Sequence, residues 1–278
     1  MTRRQFVKRA AVASVALGGV YPFLEAKWCR LTRRAVAIPN LPAAFDGTTV
    51  AYLSDVHHGP YVPRAYVRSV VAMTNSMNPD VVLLGGDYSH HGTRYVAPAH
   101  EDLGRLRARM GRFAVLGNHD SWDGLDESIA GLEAARISLL RNAGTWLEKG
   151  GSRLRVAGVG DLWTDRPDVP LAVGAETTDR DAVILMSHNP DVAEYCDDPR
   201  VGLILSGHTH GGQVVVPGYG APIVPSAFGQ KYLKGLVQAP HCQVYISRGV
   251  GTVTPPVRLF CRPEVVWITL TRSELSHG

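Results

Sequence analysis

Leu205-Ser206-Gly207-His208-Thr209-His210-Gly211-Gly212-Gln213 follows the apolar run Val201–Leu205, and its reading decides the fold. Two histidines one residue apart among glycines can offer their imidazoles to one metal or to a close pair. In extended backbone, alternate side chains share a face and lie about 6.6 Å apart along the chain. A lone pair of this kind is ordinarily a surface feature. Its weight comes from four further polar clusters, each at the end of a short apolar run. Asp55-x-His57 follows Val50–Leu53, and Gly86-Asp87 follows Val81–Leu84. Gly117-Asn118-His119-Asp120 follows Phe113–Leu116, and Ser187-His188 follows Ala182–Met186.

Apolar runs without alternation are the pattern of strands buried on both faces. The carboxyl ends of such strands are where open α/β sheets place their chemistry. Between the runs, helical spacing of apolar residues predicts helices over Pro63–Met77, Ala99–Met110 and Asp126–Ala135. Leu154–Val159 adds a strand ending in Gly160-Asp161. After Gln213, Gly and Pro punctuate short β-rich pieces at Val214–Val216, Gln243–Ser247 and Val265–Leu270, which predicts a mixed sheet and no further βαβ units. The expected architecture is α/β: two stacked mixed β-sheets flanked by helices, in a single domain over residues 35–278. Ala35–Pro42 reads as an edge strand or a linker, with Pro39 and Pro42 limiting its pairing.

Hydrophobic residues at 45% and charged residues at 19% suit a globular chain with a substantial core. The net charge of +4 is concentrated at the start, where residues 1–34 carry eight Lys/Arg against Glu25, a net +7, leaving −3 for the rest. A folded domain of that balance offers no basic face for nucleic acid, and that class of function is excluded.

Thr2-Arg3-Arg4-Gln5-Phe6-Val7-Lys8 precedes the apolar stretch of residues 10–24. Paired arginines before about 15 apolar residues read as an export leader, shorter than the usual membrane span of about 20. The segment resembles a twin-arginine signal, which implies the twin-arginine export machinery as a partner and a periplasmic or envelope location. Leu24-Glu25-Ala26 matches a cleavage site only loosely, so residues 1–34 are read as a leader that can persist as a membrane anchor. The alternative is an uncleaved, buried or amphipathic N-terminal helix. Cys29, Cys196, Cys242 and Cys261 lack metal-site or redox spacing and read as buried, inert thiols.

The clusters D-x-H, G-D, G-N-H-D, an isolated H and G-H-x-H, in that order, resemble the calcineurin-like metallophosphoesterase superfamily over about residues 46–270. Ser187-His188-Asn189-Pro190-Asp191 and the later PPVRLFCRPEVV stretch (residues 255–266) look most like its YaeI/YkuE-type phosphodiesterase branch. The resemblance implies two divalent metal ions. Asp55, His57 and His210 would hold one; Asn118, His188 and His208 would hold the other; Asp87 would bridge them. Oxygen and nitrogen ligands without thiolate suit Mn, Fe or Zn. It further implies a metal-bridging hydroxide attacking phosphorus in line. His119 would assist the leaving oxygen, with Asp120 orienting its ring.

The expected substrate is a phosphate ester, lipid-linked or envelope-associated. Phosphomonoesterase or protein phosphatase activity, a UDP-2,3-diacylglucosamine-type pyrophosphatase and a non-catalytic scaffold remain alternatives. His58 and His91 read as surface residues, and His90 receives no role. Arg248 and Arg262 are readable as phosphate contacts or as structural ion pairs. Tyr61, Val62, Tyr66 and Val67 are readable as an apolar lip or as helix packing.

Overall fold

The computed structural model describes residues 19–273. The leader motif Thr2–Lys8 lies outside them. Among the described residues, twelve strands form two six-stranded sheets. The first sheet runs in the order β1 (Arg30–Ile38), β12 (Glu264–Arg272), β2 (Thr49–Leu53), β3 (Val81–Leu84), β4 (Arg112–Ala114) and β5 (Ser138–Leu139). The second runs β10 (Gly235–Gln238), β11 (Gln243–Ile246), β9 (Val201–Ser206), β8 (Val183–Met186), β7 (Ser152–Gly158) and β6 (Ala143–Lys149). Strands β2 to β5 are parallel, as are β7, β8, β9 and β11, and antiparallel pairs occur at β12–β2, β6–β7 and β10–β11. The two mixed sheets match the architecture expected above.

The sheets face each other across a dry layer. Val50, Tyr52, Leu83 and Val115 from the first sheet meet Val156, Ile184, Met186 and Leu205 from the second. The alternate residues of the same strands point outward. Ala51, Leu53, Val82 and Leu84 pack under the helices Arg64–Ser76, Val96–Leu103 and Asn118–Ala134. This explains the unbroken apolar runs: each strand buries both faces. Helix Arg64–Ser76 presents Val67, Val70, Val71 and Thr74 inward, the i, i+3, i+4, i+7 stripe of a half-buried helix. It stops where Asn78 turns to φ +51° before Pro79. The outer face of the second sheet is covered by the short helix Val169–Val173 and by 3₁₀ turns at Pro190–Glu194 and Gly229–Tyr232.

Several boundaries differ from the sequence reading. Strand β1 begins at Arg30, so Arg30, Arg33 and Arg34 stand in an edge strand of the folded unit. Its nine residues pair in parallel with β12. Glu25 is also part of the folded unit, since its buried carboxylate accepts the backbone N–H groups of Phe260 and Cys261. The helix expected over Ala99–Met110 is Val96–Leu103, ending at Gly104. The helix expected over Asp126–Ala135 starts at Asn118 and bends at Gly124, whose φ of +146° no L side chain adopts easily. Val214–Val216 makes only isolated bridges. Cys196, Cys242 and Cys261 are buried free thiols, and Cys29 is half-buried. Among the described residues, no helix is long and apolar enough to cross a membrane.

Candidate metal centre

Seven side chains named from sequence as metal ligands lie just beyond the carboxyl ends of five parallel strands, with Asn118 opening a helix. Asp55 and His57 follow β2, Asp87 follows β3, Asn118 follows β4, His188 follows β8, and His208 and His210 follow β9. The two sheets present these ends at one rim, where backbone hydrogen bonds join them. Ser54 and Asp55 accept the N–H groups of Val250 and Gly251 at 2.9 and 2.7 Å. The His188 Nδ1–H donates to Gly85 O at 2.8 Å, which turns its Nε2 toward the cluster.

The convergence is tight. Asp87 Oδ2 lies 3.4 Å from His57 Nε2 and 3.2 Å from His188 Nε2. His57 Nε2 and His210 Nε2 are 3.0 Å apart, and His210 Nε2 is 3.4 Å from Asp55 Oδ1. His208 Nδ1 is 3.2 Å from His188 Nε2. Ligand atoms of Asp55, His57 and His210 fall within 4.8 Å of one another, as do those of Asp55, Asp87 and His188. Asn118 lines the same cavity as Asp87, His208 and His210. All seven are buried.

The backbone that aims them is unusual. Asp55, His57, Asp87, His208 and His210 all have φ between +46° and +67°. The two histidines of the opening motif are therefore presented by a left-handed turn and not by the extended backbone assumed from their spacing. Non-glycine residues rarely hold this region without being held there by their surroundings. Two carboxylates tie loop to loop: Asp55 Oδ1 accepts His208 N–H, and Asp87 Oδ1 accepts His119 N–H, both at 2.9 Å.

Burial and the neighbouring imidazoles hold His57 and His210 well below the usual imidazole range, and burial brings His208 to about 3. Neutral imidazole is the form that binds metal. Burial acts the same way on His188, but the adjacent Asp87 carboxylate outweighs it and holds that ring well above its ordinary range. Burial and the charge of Asp87 raise Asp55 to about 6, against the lowering effect of His188. Asp55 Oδ2 and Asn118 Oδ1 are buried acceptors without a hydrogen-bond donor. Carboxylate, amide and imidazole acceptors crowded together with too few protons between them fit divalent cations with a preference for oxygen and nitrogen.

The space around these carboxylates is reserved by glycine. A Cβ on Gly207 would overlap Asp55 Oδ2 and Ser54 Oγ, and one on Gly117 would overlap Asp87 Oδ1. Gly207→Ala is therefore expected to lower Mn affinity by about tenfold or more, the range seen when the support of a ligand is disturbed. Competition titration with a chelating dye checks this, and an unchanged affinity would show that Asp55 has room to move.

His119 stands half-buried at the edge of the cavity, its ring 4.9 Å from that of His57. Asp120 does not orient it. Both Asp120 oxygens are taken by backbone N–H groups, those of Asp87 at 2.7 Å, Gly117 at 2.8 Å and Tyr88 at 2.8 Å. Asp120 thus fixes the loops that carry Asp87 and Asn118. The partner of His119 is His90, with the two Nδ1 atoms 3.0 Å apart. His90 received no role from sequence, although the His-His pair after Gly86-Asp87 was the available signal.

Arg258 was also missed. It is fully buried, and its guanidinium donates to Gly251 O, Arg248 O, His210 O and Cys261 O. It thereby holds the His210 loop. Arg248 is a structural ion pair with Glu264, and Arg262 lies over the Trp28 ring. His58 is buried with its Nδ1 on Val62 O at 2.8 Å, contrary to the surface reading, whereas His91 is exposed. Val62 and Val67 belong to the helix-side core. Tyr61 and Tyr66 line a separate cavity with Phe23 and Lys27, so they form no lip to this site.

The calcineurin-like phosphoesterase model matches residues 48–212. The chain is 32% identical to the uncharacterized metallophosphoesterase YkuE of Bacillus subtilis (strain 168), over 97% of this chain and 98% of that protein. It is also 32% identical to the phosphodiesterase YaeI of Escherichia coli (strain K12), over 97% and 99%. Among solved structures, the calcineurin-like phosphoesterase YfkN of Bacillus subtilis is similar at a TM-score of 0.42 and 14% identity, over 73% of this chain and 81% of that one.

Proposed function

This chain belongs to the calcineurin-like phosphoesterase family, and from that premise we propose that it is a dinuclear, metal-dependent phosphodiesterase. The observation that carries the reading is the position of Asp87 Oδ2, within 3.4 Å of His57 Nε2 and 3.2 Å of His188 Nε2. One carboxylate there faces ligands from both sheets. Asp55, His57 and His210 form the set on one side of it, and Asn118, His188 and His208 the set on the other. Divalent ions bound by these residues would supply Lewis acidity toward the phosphoryl oxygens and a water made acidic enough to attack at neutral pH.

The chain's own contribution is placement and proton handling. The buried ligands are held by backbone partners before substrate arrives, so little reorganisation is required during reaction. His119, half-buried at the cavity and backed by His90 Nδ1, is assigned to protonate or stabilise the leaving oxygen. The diesterase reading over a monoesterase is supported by the phosphodiesterase name of the YaeI relative. No cationic side chain lines the cavity among the described residues to receive the second charge of a monoester. The Mn-loaded protein is expected to hydrolyse bis-p-nitrophenyl phosphate with a kcat/KM at least about tenfold above that for p-nitrophenyl phosphate. Preference for the monoester would overturn the diesterase assignment, and failure on both would favour a scaffold.

A further inference from the structure

The cavity beside the metal-ligand cluster has a volume of about 380 Å³, and its walls are apolar. On one side stand Trp122 and Trp163, their ring centroids 6.3 Å apart and their planes tilted by 32°. Each indole meets an active-site imidazole edge-on: Trp122 lies 4.9 Å from His119, and Trp163 lies 4.3 Å from His208. Val214, Ile223, Val253 and Pro255 complete the apolar lining. Trp122, Trp163 and Ile223 are 58%, 51% and 78% exposed, an expense of apolar surface that scattered hydrophobes do not explain because these three share one cavity.

The polar groups on these walls are largely committed elsewhere. Gln213 accepts Val253 N–H at 2.9 Å through Oε1, and its Nε2 donates to Pro255 O at 3.3 Å. Thr209 Oγ1 donates to Leu233 O at 2.9 Å. Thr254 sits exposed at the rim. Asp87 is the only carboxylate on the walls, and no lysine or arginine lines them among the described residues. Such walls offer little to read the edges of a nucleobase and nothing to pair with a second phosphate. Beyond the cavity, residues 214–229 contain no charged side chain, and Val216 and Tyr219 stand 42% and 71% exposed on that loop. The rim continues the apolar surface of the cavity outward.

We propose that this cavity is an aliphatic subsite, and that the substrate is a phosphodiester of a long-chain alcohol or comparably apolar lipid. The proposal rests on the phosphodiesterase reading of the adjacent site. The substrate's single negative charge is met at the metal-ligand cluster. Its apolar chain runs along the two indoles and Ile223 toward the uncharged loop.

The test uses the Mn-loaded full chain and methyl, butyl and octyl p-nitrophenyl phosphates below their micelle concentrations. In each, one water breaks the bond between phosphorus and the aryl oxygen, releasing p-nitrophenol and leaving the alkyl monoester. A fully buried methylene is worth about fourfold in affinity, so a half-open cavity is expected to raise kcat/KM by about tenfold or more from methyl to octyl. Trp163→Ala and Ile223→Ser are expected to reduce the octyl-to-methyl ratio by at least about threefold. A ratio near one in the unaltered protein overturns the subsite, as does preference for the p-nitrophenyl ester of thymidine monophosphate over the octyl ester. Calorimetric binding of octyl phosphate against methyl phosphate tests the cavity separately from turnover. Tighter octyl binding with no hydrolysis of any ester would sustain the subsite and sink the phosphodiesterase reading; equal binding would sink the subsite whatever the enzyme hydrolyses.

Discussion

Asp87→Ala is expected to lower kcat/KM toward bis-p-nitrophenyl phosphate by at least about 10³-fold, and to reduce bound metal from about two ions per chain to one or fewer. The loss of rate follows from removing charge stabilisation in a water-poor site, where a single lost donor already costs about 10²–10³-fold. The loss of metal follows from geometry. Asp87 Oδ2 faces His57 and His188, while its Oδ1 accepts His119 N–H, so one substitution disturbs both ligand sets and the loop of His119. Asp87→Asn keeps the shape but not the charge, and is expected to retain the fold with a comparable loss of activity. Elemental analysis and kinetics on the same preparations check both. Full metal content with retained turnover in Asp87→Ala would remove this residue from the bridge.

His119→Asn is expected to behave differently. It should keep its metal, because His119 is outside the seven proposed ligands, and lose about 10²–10⁴-fold in kcat, the usual contribution of general acid catalysis. The deficit should shrink as the leaving group becomes more acidic, since p-nitrophenolate departs without a proton whereas an alkoxide does not. A series of aryl methyl phosphates of rising leaving-group pKa measures this as a steeper dependence in the variant. Equal slopes in the two proteins would reassign His119 to packing against His57.

Much of this site could be read from the chain because its chemistry sits at strand ends. A run such as Val81–Leu84 announces a doubly buried strand, and the Gly86-Asp87 that follows can go only to its carboxyl end. Five such endings in order bring these polar groups to one rim without knowledge of any distance, while the ligand role of each was implied by the family resemblance. What failed to show depends on contacts between distant segments. His90 meets His119, and Trp122 and Trp163 approach from separate loops to frame one cavity. No local pattern encodes those meetings. Asp120 misled for a related reason: its adjacency in sequence suggested the His119 ring, but its carboxylate instead accepts the N–H of the cap residue Gly117 and those of Asp87 and Tyr88 on the distant loop after β3. Strand β6 was missed although Gly150-Gly151, at φ +58° and +73°, is a tight hairpin signal leading into β7.

One feature of the first sheet bears on how the protein is made. Strand β12 lies between β1 and β2, pairing with the former in parallel and with the latter in antiparallel fashion. Every proposed ligand has been synthesised by His210, yet β1 cannot join the sheet until Glu264–Arg272 has left the ribosome. Completion of the first sheet therefore waits for β12: a nascent polypeptide can carry the whole reactive constellation while β1 still has no neighbour.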